Sequence, residues 1–185
     1  YRIGVGMKIE TERTIIRLPK SSDFEFIKNL WLDGEVMKFV GFPDGLKVSD
    51  EDIGSWILNK NPDRMRQVVE DKETGESFAE TGWQEDIPYE YANGRKSASL
   101  DIKLARSHWG KGYATEILRV LTKYIFENTD IEVVFVDPNI ENIAAIKLYE
   151  KIGFKKIGQP VFHNSDNMQI PITAQYYELE NNEIQ

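Results

Sequence analysis

Residues 97–115 read SASLDIKLARSHWGKGYAT, and this stretch restricts the fold of the chain most strongly. A strand-like run passes into a glycine-rich turn, and helical periodicity begins directly after it. Gly110 and Gly112 lack a Cβ atom, so their backbone can adopt conformations closed to other residues and approach a ligand closely. The first amides of the following helix, at its positive end, favour an anion. We interpret the stretch as a pyrophosphate-binding turn; the alternative is a tight turn without a ligand.

Strand and helix signals alternate along the rest of the chain. A hairpin over 66–84 turns at 73–75, and the apolar run 131–136 is typical of a strand covered on both faces. The order of elements predicts an α/β layer with a mixed sheet in a single domain over 7–180, with 1–6 as an upstream extension and 181–185 as a frayed tail. Strands are expected at 14–18, 66–71, 76–84, 100–104, 131–136, 155–162 and 172–179, and helices from about Asp23, Glu35, Ser49, Thr115 and Asn142.

The composition excludes several classes of protein. The 185 residues contain no cysteine, which rules out disulfides and thiolate metal sites and fits a reducing cytoplasm. No apolar run approaches the roughly 20 residues that span a bilayer, so we expect no membrane contact. The net charge of −8 is the wrong sign for binding nucleic acid broadly. His108 and His163 have no paired ligand spacing, which disfavours a metal enzyme.

Acidic residues are concentrated between positions 67 and 94, where Lys72 is the one basic residue. They either form a solvated acidic face or an acidic mouth that attracts a cationic acceptor. Tyr89 and Tyr91, in the polar loop that follows, either contact that acceptor or pack down as loop anchors. The carboxylates are Glu70, Asp71, Glu73, Glu76, Glu80, Glu85, Asp86 and Glu90.

Two blocks resemble one family at the spacing that the family uses. WGKGYATEIL, at 109–118, resembles the coenzyme A pyrophosphate loop of the GCN5-related N-acetyltransferases, and NIAAIKLYEKIGF, at 142–154, resembles their next signature. The likeness extends over nearly the whole chain from Met7. It is nearest to the ribosomal-protein alanine acetyltransferases, and the 137–154 run is also similar to aminoglycoside 6′-acetyltransferases. The family loop usually opens with Gln or Arg, where this chain has Trp109, as is common in the ribosomal-protein subgroup.

The resemblance implies a fold, a cofactor and a reaction. The fold is a mostly antiparallel, twisted mixed sheet of about 6–7 strands flanked by about 4 helices. The reaction is transfer of an acetyl group from acetyl-CoA to a primary amine, on a protein N-terminus or a small cationic molecule, by an enzyme that is a possible homodimer. The cofactor-binding residues that it implies are Leu104, Trp109, Gly110, Lys111, Gly112, Tyr113, Ala114, Thr115 and Asn142.

Two catalytic residues follow from the same comparison. Tyr149 matches the family's general acid, which protonates the departing thiolate; without the resemblance it is a core-facing helix tyrosine. Asp101 is the expected base, because it lies on the strand leading into the turn and faces away from its aliphatic neighbours. The alternative for Asp101 is a solvent-facing charge paired with Lys103. Asn142, which can also cap its helix, is placed to hold the pantetheine arm.

Glu80, Glu85 and Tyr89 complete the expected site as contacts of the acceptor, and the two glutamates are also fallback bases. A P-loop hydrolase is excluded, because no Lys-Ser/Thr pair follows the glycines at the required distance. A non-catalytic acyl-CoA-binding domain of the same fold stays open. Release of free thiol from acetyl-CoA in the presence of an amine separates it from an enzyme.

Overall fold

The computed structural model describes residues 7–59, 61, 63–85 and 87–181. Residues 1–6, Asp86 and residues 182–185, which carried expectations from the sequence, lie outside these ranges. In the described part of the chain, ten strands form an eight-stranded sheet in the order β1-β2-β3-β4-β5-β6-β10-β7 and a separate two-stranded sheet, β8-β9. The strands are β1 Lys8–Glu10, β2 Thr14–Arg17, β3 Arg64–Asp71, β4 Ser77–Gln84, β5 Ser97–Leu104, β6 Val133–Val136, β7 Lys155–Lys156, β8 Val161–His163, β9 Ile172–Ala174 and β10 Tyr177–Glu180.

Five α-helices accompany the sheet in these ranges. Side chains cap two of the longer ones at the start: Ser49 and Asp52 form a capping box, and the Asn142 side chain accepts from the amide of Ala145. Gly153, with φ of 118°, ends the second of these helices. Short 3-10 helices lie at Ser21–Asp23, Lys38–Val40 and Arg106–His108. The α-helices are α1 Phe24–Leu32, α2 Gly34–Met37, α3 Asp50–Leu58, α4 Tyr113–Asn128 and α5 Ile143–Ile152.

The α/β single-domain fold with a mixed, mostly antiparallel sheet is confirmed, with more strands than expected. The first strand of the sheet, β1, carried no sequence signal. The prediction of one strand over 155–162 was wrong, because the segment forms two separate strands, β7 and β8. The predicted strand breaks at Gly158, where φ is +65° and a Cβ atom would overlap the Tyr91 ring. The predicted strand 172–179 also divides, because the amide of Gln175 bonds to Pro138 instead of a strand neighbour. Helix α4 begins at Tyr113, two residues before the predicted start.

The two faces of the large sheet are covered differently. One face packs against α4 and α5 and forms the main core. The opposite face of β3 packs against α1 and α3 around Trp31 and Trp56, and that of β6 packs against the loop that carries Tyr89. All four residues of β6 are buried, as predicted for a strand covered on both faces. Between these two patches, the face of β4 and β5 is left open.

Strands β5 and β6 separate along their length. They are the parallel pair of the sheet, and their register covers only Ser97 to Ser99. Strand β5 continues to Leu104, whereas β6 ends at Val136. The edge of β5 beyond Ser99 therefore opens toward α5, and the 3-10 helix Arg106–His108 connects the end of the strand to the glycine turn.

Candidate active site

The glycine turn has the geometry expected of an anion-binding loop. Gly110 and Gly112 have φ of +69° and +81°, values that L-residues with a side chain rarely adopt. Helix α4 starts at Tyr113, so its first amides have no acceptor within the helix. In the described ranges, no acceptor outside the helix takes a hydrogen bond from the amides of 110–115. Unpaired amides at the positive end of a 16-residue helix fit a diphosphate group.

Arg13, which carried no sequence signal, holds this turn in place. Its guanidinium donates to the carbonyl of Lys111 at 3.0 Å and pairs with Glu116 at 2.7 Å. It also lies over the ring of Tyr113, 4.0 Å from the centroid. The connection joins residues about a hundred positions apart, so a pattern read along the chain does not reveal it. Arg13 and Glu116 therefore position the loop.

Two aromatic residues of the predicted loop use their polar atoms inside the protein. The Trp109 indole nitrogen donates to the carbonyl of Leu104 at 2.9 Å, which ties the loop to the end of β5. The Tyr113 hydroxyl donates to Asp71 at 3.0 Å, at the hairpin turn. Ala114 and the residue after it lie in the first turn of α4, where they offer main-chain amides. The Leu104 carbonyl keeps one lone pair for another donor.

Tyr149 lies on α5 and is 7% exposed. Its ring meets Phe154 edge-on, with 5.5 Å between centroids. Burial raises the pKa of the Tyr149 phenol, and the Asp101 and Asp137 carboxylates raise it further, while Lys103 opposes them. The phenol therefore stays protonated at neutral pH, close enough to Asp101 to be influenced by its charge.

Asn142 caps α5 through its side-chain oxygen, which accepts from the amide of Ala145 at 3.1 Å. This is the capping role that the sequence allowed. In the described part of the chain, its side-chain NH₂ group has no acceptor, so a donor remains for a ligand carbonyl. Asn142 begins the helix that carries Tyr149, two turns before it.

A cavity of about 490 Å³ lies on the open face of β4 and β5. Lys103 joins the two carboxylates on this face: its ammonium is 3.1 Å from Glu80 and 3.0 Å from Asp101. Burial opposes the charged form of Lys103, but Asp101 and Glu80 outweigh it and raise its pKa. Glu80 also accepts from the Trp31 indole at 2.9 Å and is buried, whereas the Asp101 side chain is 50% exposed. Trp56 of α3 also lines the cavity.

The other predicted acceptor contacts lie elsewhere. Tyr89 stacks on Phe135 at 4.1 Å, and its hydroxyl donates to Glu178 at 2.7 Å, so it is a loop anchor. Glu85 bonds through its amide to Asp63 and does not line the cavity. Of the described carboxylates between 67 and 94, only Glu80 lines the cavity, so the acidic run does not form a mouth around it.

A family model for the acetyltransferase (GNAT) domain matches residues 13–155. The chain belongs to this family. It is an acetyl-CoA-dependent N-acetyltransferase, as the paired sequence blocks indicated. The match runs from β2 to α5 and therefore includes the glycine turn, Tyr149 and the cavity-lining strands.

Relatives of the chain agree with this assignment. An uncharacterized N-acetyltransferase of Bacillus licheniformis, p20, is 30% identical over 80% of this chain and 82% of its own length. The spermidine N(1)-acetyltransferase of Vibrio cholerae is 28% identical over 79% of this chain and 81% of its own. The crystal structure of a Vibrio cholerae spermidine N-acetyltransferase with CoA and spermine superposes on this chain with a TM-score of 0.74 and 23% identity. The similarity covers 92% of this chain and 97% of the other, so the two proteins share the fold. No helix in the described residues is long and apolar enough to cross a membrane.

Proposed function

We propose that this enzyme transfers the acetyl group of acetyl-CoA directly to a primary amine within one ternary complex. The observation that carries the proposal is the protonated, buried phenol of Tyr149, whose pKa is raised by burial and by the nearby charge of Asp101. A proton donor and a proton acceptor thus lie near each other, beside the open edge of β5. A direct attack also needs no covalent enzyme intermediate.

The residues around the turn would hold the cofactor. The amides of 110–115 suit its diphosphate, and the free NH₂ of Asn142 and the edge of β5 suit its pantetheine arm. Trp109 would act indirectly, by fixing the loop to Leu104. Arg13 would keep Lys111 in place.

Acetyl-CoA supplies an acetyl group activated as a thioester. In our proposal Asp101 accepts a proton from the acceptor amine, which must be neutral to attack, and Tyr149 donates a proton to the departing sulfur. Lys103 orients Asp101 through their ion pair, and Glu80 holds Lys103 from the other side. Glu80 is the alternative base, acting on an amine that enters the cavity. Glu85 and Tyr89 have no contact with the cavity that would support an acceptor role.

A narrower alternative is an aminoglycoside 6′-acetyltransferase activity, which rests on the likeness of the 137–154 run. The non-catalytic acyl-CoA-binding domain that the sequence left open is disfavoured, because relatives of the chain are named N-acetyltransferases. The sequence also predicts a homodimer and a cytoplasmic location, and both stay predictions.

Release of free thiol from acetyl-CoA tests the proposal. The acceptors are spermidine, kanamycin, an alanine-terminated peptide and 4-aminobutyrate, and mass spectrometry identifies the N-acetyl product. We expect thiol release to equal product formation with at least one amine and to fall to the hydrolysis rate without it. Intact-mass measurement should find no acetylated enzyme. Binding of CoA without turnover of any amine would favour the non-catalytic domain.

A further inference from the structure

The cavity contains two arginines on one strand, β3. Arg64 and Arg66 lie two residues apart on β3, on the face that lines the cavity. In the ranges that the structure describes, neither guanidinium pairs with a carboxylate. By contrast, Arg17 pairs with Asp23 at 2.8 Å and with Glu70 at 2.5 Å. The guanidinium groups of Arg64 and Arg66, unlike the ammonium of Lys103, are thus available to a ligand.

Arg66 is the better defined of the two. Its Nε atom is shielded from water and has no hydrogen-bond partner in the described residues. The guanidinium lies over the Trp56 ring, 5.5 Å from its centroid, which fixes its position. Burial lowers the pKa of Arg66, and the neighbouring charge of Arg64 lowers it further, while Glu80 and Asp101 oppose them. A shielded N–H group without an acceptor is unfavourable, and an anion in the cavity would satisfy it.

The carboxylates on the same face do not neutralise these arginines. Glu80 and Asp101 share Lys103 instead. The β4–β5 side of the cavity therefore carries one net negative charge and the β3 side two positive charges, while Asp52 of α3 adds a third carboxylate to the lining. A polycation such as spermidine would meet repulsion on the β3 side.

The strand register separates the two groups. Arg66 pairs with Gly82, and Gly82 pairs with Asp101, so the three positions form one row across three strands. Positions two strands apart are roughly 10 Å apart, and Gly82 has no side chain to fill the space between them. A Cβ atom at Gly82 would lie 2.1 Å from the Met65 carbonyl, so glycine is required there. The row leaves room for one short molecule between Asp101 and Arg66.

We propose that Arg66, supported by Arg64, binds a carboxylate of the acceptor, which makes the acceptor a small amine that also carries an acidic group. This inference rests on the proposed function, because it assumes that the amine of the same molecule reaches Asp101. The fork of N–H donors on an arginine matches a carboxylate in two parallel hydrogen bonds. The polyamine specificity named for one relative would then not hold for this chain.

Matched acceptors test the proposal. 4-Aminobutyrate, 4-aminobutanamide and 1,4-diaminobutane share one amine and one chain length and differ in the charge of the far group. We expect kcat/KM to fall in that order, by about tenfold from acid to amide, because a charge-assisted hydrogen bond is lost. Arg66→Gln should remove the preference, Arg66→Lys should keep part of it, and Arg119→Gln, outside the cavity, should keep all of it. Equal or better use of the diamine by the unaltered enzyme would overturn the proposal.

A binding measurement separates this inference from the proposed function. Titration of 4-aminobutyrate into the CoA-bound protein should give heat with the unaltered chain and with Arg119→Gln, and not with Arg66→Gln. Circular dichroism and Tm check that each variant is folded. Binding without turnover would contradict the acetyltransfer proposal and leave the anion site standing. Absence of Arg66-dependent binding would overturn the anion site itself.

Discussion

Tyr149 acquires its proposed role from its surroundings as much as from its chemistry. A phenol in water loses its proton near pH 10, and burial among the residues of α5 and β5 moves that pKa upward. The same burial would be costly for a charged side chain. A tyrosine is therefore suited to keep a proton at this position until a thiolate forms beside it.

Replacing Tyr149 with phenylalanine tests this role. Tyr149→Phe should lower kcat by about 100-fold, because a general acid typically contributes that much or more. The Kd of acetyl-CoA should change little, since the hydroxyl acts mainly in the transition state. Steady-state kinetics and calorimetric titration measure the two quantities. Tyr177→Phe, in the same core and equally buried, is the matched control and should leave kcat unchanged.

The pH profile of the same variants gives a second readout. A raised pKa means that the phenol keeps its proton to higher pH, so kcat should stay level on the alkaline side up to about pH 10. Loss of activity between pH 7 and 9 that disappears in Tyr149→Phe would contradict the assignment. Equal losses of kcat and of acetyl-CoA affinity would also count against an acid role.

Among the elements, the end of β5 and the start of α4 form the proposed cofactor site. The separation of β5 from β6 opens one edge, and the two glycines turn the chain so that the first amides of α4 point outward. Trp109 and Arg13 fix this turn from two sides. The turn is therefore a rigid element whose amides are arranged before a ligand arrives.

Gly110 and Gly75 offer a matched comparison at this scale. Both have positive φ, +69° and +72°, and a Cβ atom at either would meet no protein atom within 4 Å. Alanine should therefore cost similar stability at both sites, about 1 kcal/mol. We expect Gly110→Ala to raise the Kd of CoA by about tenfold, because the ligand approaches that backbone, and Gly75→Ala to leave it unchanged. Equal CoA affinities in the two variants, measured by titration, would argue against the loop.

At the scale of the whole molecule, the sequence predicts what local patterns encode. The hairpin of β3 and β4, the buried strand β6 and the capped helix α5 follow from periodicity, turn residues and caps, and the sites on α4 and α5 follow from the family resemblance. The contacts of Arg13 with Lys111 and of Arg17 with Glu70 join distant positions, and the row from Arg66 to Asp101 depends on strand register, which a single sequence does not give. The sequence left the acidic run open between a solvated face and an acidic mouth for the same reason, since composition does not say which face a carboxylate occupies.

The crystal structure of the protein with CoA tests the central claim, that one turn and one phenol form the acetyl-transfer site. We expect diphosphate oxygens within hydrogen-bond distance of amides in 110–115 and the CoA sulfur within hydrogen-bond distance of the Tyr149 hydroxyl. A diphosphate bound away from this turn, or a Tyr149 hydroxyl directed away from the sulfur, would contradict it.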